Sequence, residues 1–264
     1  MQIAHINGVD INYSDCGDKT APVIGFSNSL GSDIRLWDNL VNHFKDQFRL
    51  IRYDKRGHGK SSITEEECSI ELLADDMVSL LKHLNVEQAI ICGISVGGLI
   101  AQNVASTNPD LVKALILCDT GAKIGTDDFW LERMTLVTEN GLEPISGSIV
   151  ERWFSEDFKL HCKDEMEQWR QMLVQTSKVG YVAVCNALKN ADLTLGSSTI
   201  THPTLCIGGD EDLSTPPELV KKLSQMIAGS SFKIINGAGH LPCIEKPDIL
   251  ANHIHKFIKE NNLV

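Results

Sequence analysis

The sequence predicts an α/β fold: a mostly parallel central sheet with helices on both faces and an all-helical lid insertion. Three observations carry this reading. Short runs rich in Ile, Val and Leu alternate with stretches of helical period. The runs are apolar throughout rather than at every second residue, the pattern of strands buried on both faces. The alternation stops after Thr120 and resumes at Pro203.

The elements follow in order. Gln2–Ile6 and Val9–Tyr13 read as a hairpin, with Asn7-Gly8 as its tight turn. Ala21–Phe26, Phe48–Tyr53, Ala89–Cys92, Ala114–Cys118 and Thr204–Ile207 read as buried strands, and Phe232–Ile235 reads as a further strand. Between them, Ser69–Leu84 sets Ile70, Leu73, Met77, Leu80, Leu81 and Leu84 on one helical stripe with charges opposite. Ser95–Thr107 and Pro216–Ile227 have the same period. Strand, helix, strand in repetition means βαβ units. From about Thr126 to Asn190 the pattern is helical only, over Asp127–Asn140, Pro144–Phe154, Asp157–Lys178 and Val179–Lys189. The domain reading is therefore a core of residues 1–121 and 200–264 with a helical cap of 122–199. Ligands of open α/β sheets bind beyond the carboxyl ends of the strands, where such a cap would close over them.

Composition narrows the class. A chain of 264 residues buries enough surface to fold without disulfides or a structural metal. The net charge of −11 argues against nucleic acid or an anionic membrane as a partner, though not against a small anion met by a local Arg or Lys. None of the eight cysteines forms a C-x-x-C pair, and no Cys/His cluster has zinc spacing. Cys92, Cys118 and Cys206 lie inside apolar runs and read as buried small hydrophobes. The start Met1–His5 lacks the pattern of a signal peptide, and no apolar run approaches the length of a membrane span. The expectation is a soluble, cytoplasmic protein.

The strongest chemical signal is Gly93-Ile94-Ser95-Val96-Gly97, followed by Gly98. It fits the G-x-S-x-G elbow, in which a serine sits on a strained strand-to-helix turn and only small neighbours let strand and helix approach. Strand-like residues precede it and an amphipathic stretch follows. A serine hydroxyl needs a base to become a nucleophile at neutral pH, and on this kind of scaffold an acid and then a histidine follow the serine in the chain. Asp212 stands after the strand Thr204–Ile207, with Asp210 the next choice for the acid. His240 stands after Phe232–Ile235, the one histidine of nine in such a setting. The loop after the third strand, Ser27–Ser32, would supply the Leu30 N–H to pair with the Val96 N–H as an oxyanion hole. Hydrolases often carry His-Gly where this chain has Asn28-Ser29, but a backbone donor needs no particular side chain. Asp54–Ser61 (DKRGHGKS) reads as a structural loop, with glycines for tight turns and Asp54 and Arg56 for loop hydrogen bonds. His58 as the base is the lesser reading.

On these residues the chain resembles the α/β-hydrolases over its whole length. Within them it is similar to the 3-oxoadipate enol-lactonases, on Ser27–Trp37, Ile94–Gln102, Gly121–Arg133, Val150–Phe154 and Gly180–Asp192. The resemblance implies hydrolysis of a five-membered enol lactone bearing an acetate side chain, by Ser95, His240 and Asp212 through an acyl-enzyme. It implies no metal and no organic cofactor, and a small-molecule anionic lactone as partner. It also suggests that Arg133 reads the substrate carboxylate and that Trp130 and Trp153 wall the ring; spacing alone would leave Arg133 a solvated, ion-paired arginine and the tryptophans lid packing. Three readings stay open beside it: a carboxylesterase, a carbon–carbon bond hydrolase of the same fold, and a ligand receptor that binds without turnover. A haloalkane dehalogenase is disfavoured, because its nucleophile is Asp where this chain has Ser95.

Overall fold

The computed structural model describes residues 2–63 and 67–264. An eight-stranded sheet runs in the order β1 (Gln2–Ile6), β2 (Val9–Cys16), β4 (Arg49–Tyr53), β3 (Val23–Ser27), β5 (Ala89–Ile94), β6 (Val112–Cys118), β7 (Thr204–Gly209) and β8 (Ser231–Ile235). Only β2 is antiparallel to its neighbours; all other pairings are parallel. In the β1–β2 turn both Asn7 (φ 47°) and Gly8 (φ 76°) adopt the left-handed conformation that a two-residue hairpin loop demands.

All six residues of β5 are buried. Successive strand residues point to opposite faces, so both faces of the sheet are covered there. Cys92, Cys118 and Cys206 are fully buried within these strands, as their apolar surroundings suggest. The first crossover helices are α1 (Asp38–Phe44), α2 (Ile70–His83) and α3 (Val96–Thr107). Ser69 caps α2 by accepting the Leu72 N–H at 3.2 Å, and the expected stripe from Ile70 to Leu81 is buried. α3 packs on β3, β5 and β6 and against α2.

Six helices lie between β6 and β7: α4 (Asp127–Asn140), α5 (Glu143–Glu151), α6 (Glu156–His161), α7 (Lys163–Val174), α8 (Lys178–Asn190) and α9 (Thr194–Ser198). Thr126, Ser155 and Ser177 cap α4, α6 and α8. The single helix expected over Asp157–Lys178 is two, broken at Cys162, whose backbone leaves helical geometry (φ −119°, ψ 39°). No glycine or proline marks the break; α6 instead follows a separate packing, with Phe158 stacked on Phe154 at 4.4 Å between centroids. The chain closes with α10 (Pro217–Met226) against β7 and β8, then α11 (Pro242–Glu245) and α12 (Pro247–Glu260). Among the described residues no helix is long and apolar enough to cross a membrane.

The DKRGHGKS loop holds together much as expected, with one difference. Asp54 accepts from Asn12 Nδ2 (2.7 Å), the Ile34 N–H (2.8 Å) and the Lys60 N–H (2.9 Å). Arg56, however, reaches out of the loop to α2, where Asp76 takes it bidentately at 2.6 and 2.7 Å in a fully buried pair. Two charges so far from water persist only as a well-matched pair.

Candidate active site

Ser95 stands between the end of β5 and the start of α3 with φ 57° and ψ −122°. That is strained backbone for a residue with a Cβ. The glycines around it are there for space. A Cβ on Gly93 would lie 2.2 Å from the Gly97 carbonyl oxygen, and one on Gly97 would lie 2.0 Å from the Ser27 oxygen. A Cβ on Gly98 would meet Thr120 at 2.5 Å. Thr120 in turn donates its hydroxyl to the Ser95 carbonyl at 2.7 Å.

Asp212 and His240 come from the loops after β7 and β8 and meet at 2.8 Å, Oδ2 to Nδ1, both almost entirely buried. The other carboxylate oxygen of Asp212 accepts the Ser214 and Thr215 N–H groups at 2.6 and 3.0 Å. Thr215 Oγ1 sits 2.5 Å from Asp212 Oδ2, 2.8 Å from the Asp119 carbonyl and 3.1 Å from His240 Nδ1. Burial alone would raise the Asp212 pKa; the facing His240 and the donated hydrogen bonds outweigh it and hold the carboxyl below its ordinary value. Asp210 is exposed and accepts the Gly237 N–H at 2.7 Å, away from the histidine. The geometry thus pairs His240 with Asp212, the first choice, and not with Asp210.

His240 Nε2 faces Ser29 Oγ at 3.5 Å, and both line one pocket with Ser95. Ser95 Oγ makes no hydrogen bond among the described residues. Leu30 lines the same pocket, and neither the Leu30 nor the Val96 N–H donates a backbone hydrogen bond among the described residues. His58 is buried elsewhere, its Nδ1 against the Arg56 carbonyl at 3.3 Å. Burial and then the charge of Lys55 push its pKa well below the usual value.

The pocket measures about 150 Å³. A larger groove, about 450 Å³, is lined by Arg35, Arg52, Asp54 and Gln175 and contains none of Ser95, Asp212 and His240. Trp130, Arg133 and Trp153 all line the smaller pocket. Trp130 is fixed by its indole N–H, which donates to the Ile124 carbonyl at 2.7 Å. Arg133 donates to the Tyr181 hydroxyl at 3.1 Å and stacks over Phe129, 5.2 Å from the ring centre. It is therefore held by neutral groups, with no acidic partner among the described residues, which leaves its charge unneutralised by those contacts. The Trp153 carbonyl accepts the His240 N–H at 2.8 Å, so the helical segment is tied directly to the histidine loop.

Sequence reasoning did not single out Ser29, Arg152, Tyr181 or Thr215. Arg152 is a second cation in the pocket, bonded to the Leu213 carbonyl. Thr215 had a local signal: Asp-x-Ser-Thr-Pro is the pattern of a carboxylate that caps the backbone two and three residues on.

Comparison with known proteins agrees with this architecture. Residues 23–140 match the model of the alpha/beta hydrolase fold. The chain is 35% identical over 254 residues to 3-oxoadipate enol-lactonase 2 of Acinetobacter baylyi, covering 96% of this chain and 95% of the relative. It is 34% identical to 3-oxoadipate enol-lactonase 1 of the same organism, covering 98% and 97%. The solved enol-lactonase of Burkholderia xenovorans LB400 superposes with a TM-score of 0.95 at 32% identity, covering 98% of this chain and all of that one. The chain belongs to the α/β-hydrolase family and is an ester-hydrolysing enzyme of that class.

Proposed function

We propose that this enzyme hydrolyses 3-oxoadipate enol-lactone to 3-oxoadipate, with Ser95 as nucleophile, His240 as general base and acid, and Asp212 orienting the imidazole. One observation carries the reading: Ser95 and His240 open onto a small aromatic-walled pocket that also holds Arg133, which has no acidic partner among the described residues. The similarity to enol-lactonases in both sequence and structure supports it.

In this scheme Ser95 Oγ attacks the lactone carbonyl as His240 Nε2 takes its proton. The carbonyl oxygen becomes an oxyanion held by the Leu30 and Val96 N–H groups. Collapse breaks the ring C–O bond, His240 returns the proton to the departing enol oxygen, and the enol ketonises. Water activated by His240 then cleaves the acyl-enzyme and restores Ser95. Arg133 would take the acetate carboxylate by charged hydrogen bonds, with Trp130 and Trp153 against the ring. Residues 122–199 would act as the cap over this reaction. Every step is an acyl or proton transfer that these groups supply, so the scheme calls for neither metal nor organic cofactor.

The test compares 3-oxoadipate enol-lactone with p-nitrophenyl acetate, using wild type and Ser95→Ala. The expected result is a higher kcat/KM for the lactone and loss of both activities in the variant. Residual catalysis of about 10³–10⁴ over water is typical when such a nucleophile is removed. Preference for the neutral ester would favour the general carboxylesterase reading.

A further inference from the structure

The Ser29 carbonyl and the Leu30 N–H are the two ends of one peptide unit. The peptide is trans, so they point in opposite directions. The Ser29 oxygen is heavily engaged: Lys55 Nζ donates to it at 2.6 Å, Ser32 Oγ at 2.8 Å and the Ser32 N–H at 3.4 Å. Lys55 is only 1% exposed. An ammonium in such a place carries a desolvation cost that a methionine of similar shape would not. The hydrogen bond that its head makes, to Ser29, ends on the peptide whose other end would meet the oxyanion.

A cation on the carbonyl side does two things to that peptide. It fixes the plane, and it draws electron density from the amide so that the opposite N–H becomes a stronger donor. Charge-assisted hydrogen bonds are also roughly twice as strong as neutral ones. The other contacts of the loop are neutral: Asn28 donates to the Tyr53 carbonyl at 2.8 Å and accepts from the Trp37 indole at 2.7 Å.

We propose that Lys55 is a positioning residue of the hydrolytic reaction: its buried ammonium holds the Ser29 carbonyl so that the Leu30 N–H, on the same peptide, is aimed and polarised toward the oxyanion. The proposal rests on the reading of Ser95 as nucleophile. The ammonium is also poised to titrate. Burial pushes its pKa down to about 7, opposed by Asp54, Asp33 and Cys68, while His58 is the imidazole that feels its charge.

The experiment measures p-nitrophenyl acetate hydrolysis by wild type, Lys55→Met and Ser95→Ala, with melting temperatures and inhibition by phenylboronic acid, whose adduct with a serine places an oxygen in the oxyanion hole. Losing an oxyanion donor outright costs about 10²–10³ in kcat, so losing what orients one should cost about 10-fold. The expected result for Lys55→Met is that fall in kcat, KM within about 2-fold, a matching rise in the boronate inhibition constant, and a Tm level with or above wild type. A packing role would instead lower Tm and leave the boronate constant unmoved. Wild-type kcat within 2-fold in Lys55→Met, with Ser95→Ala inactive, overturns the proposal and leaves the serine reading standing. Full activity in Ser95→Ala overturns the serine reading itself. If Lys55→Met does not fold, Lys55→Gln takes its place under the same criteria: a fall in kcat with a matching rise in the boronate constant supports the proposal, and kcat within about 2-fold of wild type overturns it.

Discussion

Gly209 and Gly239 meet where β7 and β8 end: a Cβ on Gly209 would fall 2.2 Å from the Gly239 carbonyl oxygen and 2.3 Å from that of Ala238. The contact draws together the two loops that carry Asp212 and His240. Their 2.8 Å hydrogen bond depends on a backbone approach that no side chain can interrupt.

Gly209→Ala should therefore separate the loops as well as strain the core. Overpacking of this kind costs about 1–3 kcal/mol. The expected outcome is a lower Tm together with a fall in kcat, measured on any ester the wild type hydrolyses. Unchanged kcat in the folded variant would show that the histidine loop is positioned by its other ties, such as the Trp153 carbonyl.

The two neighbouring aspartates should differ sharply. Asp212→Asn removes the charge that faces the imidazole, and the equivalent change in a serine protease lowers kcat about 10⁴-fold. Asp210→Asn keeps an oxygen for the Gly237 N–H at an exposed position, and its cost should be small. Steady-state kinetics of the two variants side by side decides it; the reverse ranking would move the acid to Asp210.

Much of this fold and site is legible in the sequence, for identifiable reasons. Parallel strands buried on both faces, such as Ala89–Ile94, write their burial into composition. The elbow is legible because Gly93 and Gly97 answer a local steric demand at fixed spacing. Asp212 is the sequence's first choice over Asp210, but adjacency says nothing about which side chain turns inward to meet His240. The meeting of Ser29 with His240, 211 positions apart, is not legible, because nothing in either neighbourhood refers to the other. Nor is the buried pairing of Arg56 with Asp76 on α2, 20 positions away. The break at Cys162 has no local sign, being decided by packing.

Asp119 offers a test through pH. It is fully buried, its Oδ1 accepts the Gly209 N–H at 2.8 Å, and its Oδ2 has no hydrogen-bond partner among the described residues. Burial, and then the charge of Asp212, push its pKa well above the carboxylate range. A carboxyl raised on folding binds its proton more tightly in the native state. Stability is then lost as pH rises from the unfolded value near 4 through the folded one. Asp119→Asn has no such proton to lose. Its Tm relative to wild type should improve from about pH 4 to about pH 7. A difference in Tm that does not change with pH would mean that Asp119 is ionised in the folded protein.

The sharpest prediction concerns how the proposed anionic lactone would be read by a protein of net charge −11. Two cations line the pocket, Arg133 and Arg152. Arg152 is bonded to the Leu213 carbonyl, in the loop between Asp212 and Ser214, so its removal should disturb that loop and slow every substrate. Arg133 is held by Tyr181 and Phe129, neither of which cancels its charge, and its remaining N–H groups have no partner among the described residues. A charged hydrogen bond of this kind contributes about 1.5–3 kcal/mol, or about 10- to 150-fold in kcat/KM. Arg133→Met should lose that factor on 3-oxoadipate enol-lactone and almost nothing on p-nitrophenyl acetate. Arg152→Met should lose activity on both. If Arg133→Met is slowed equally on the two substrates, the arginine supports Tyr181 and the helical segment rather than the ligand. If the selective loss belongs to Arg152 instead, the carboxylate is read there, next to the loop that carries Asp212, and not by Arg133.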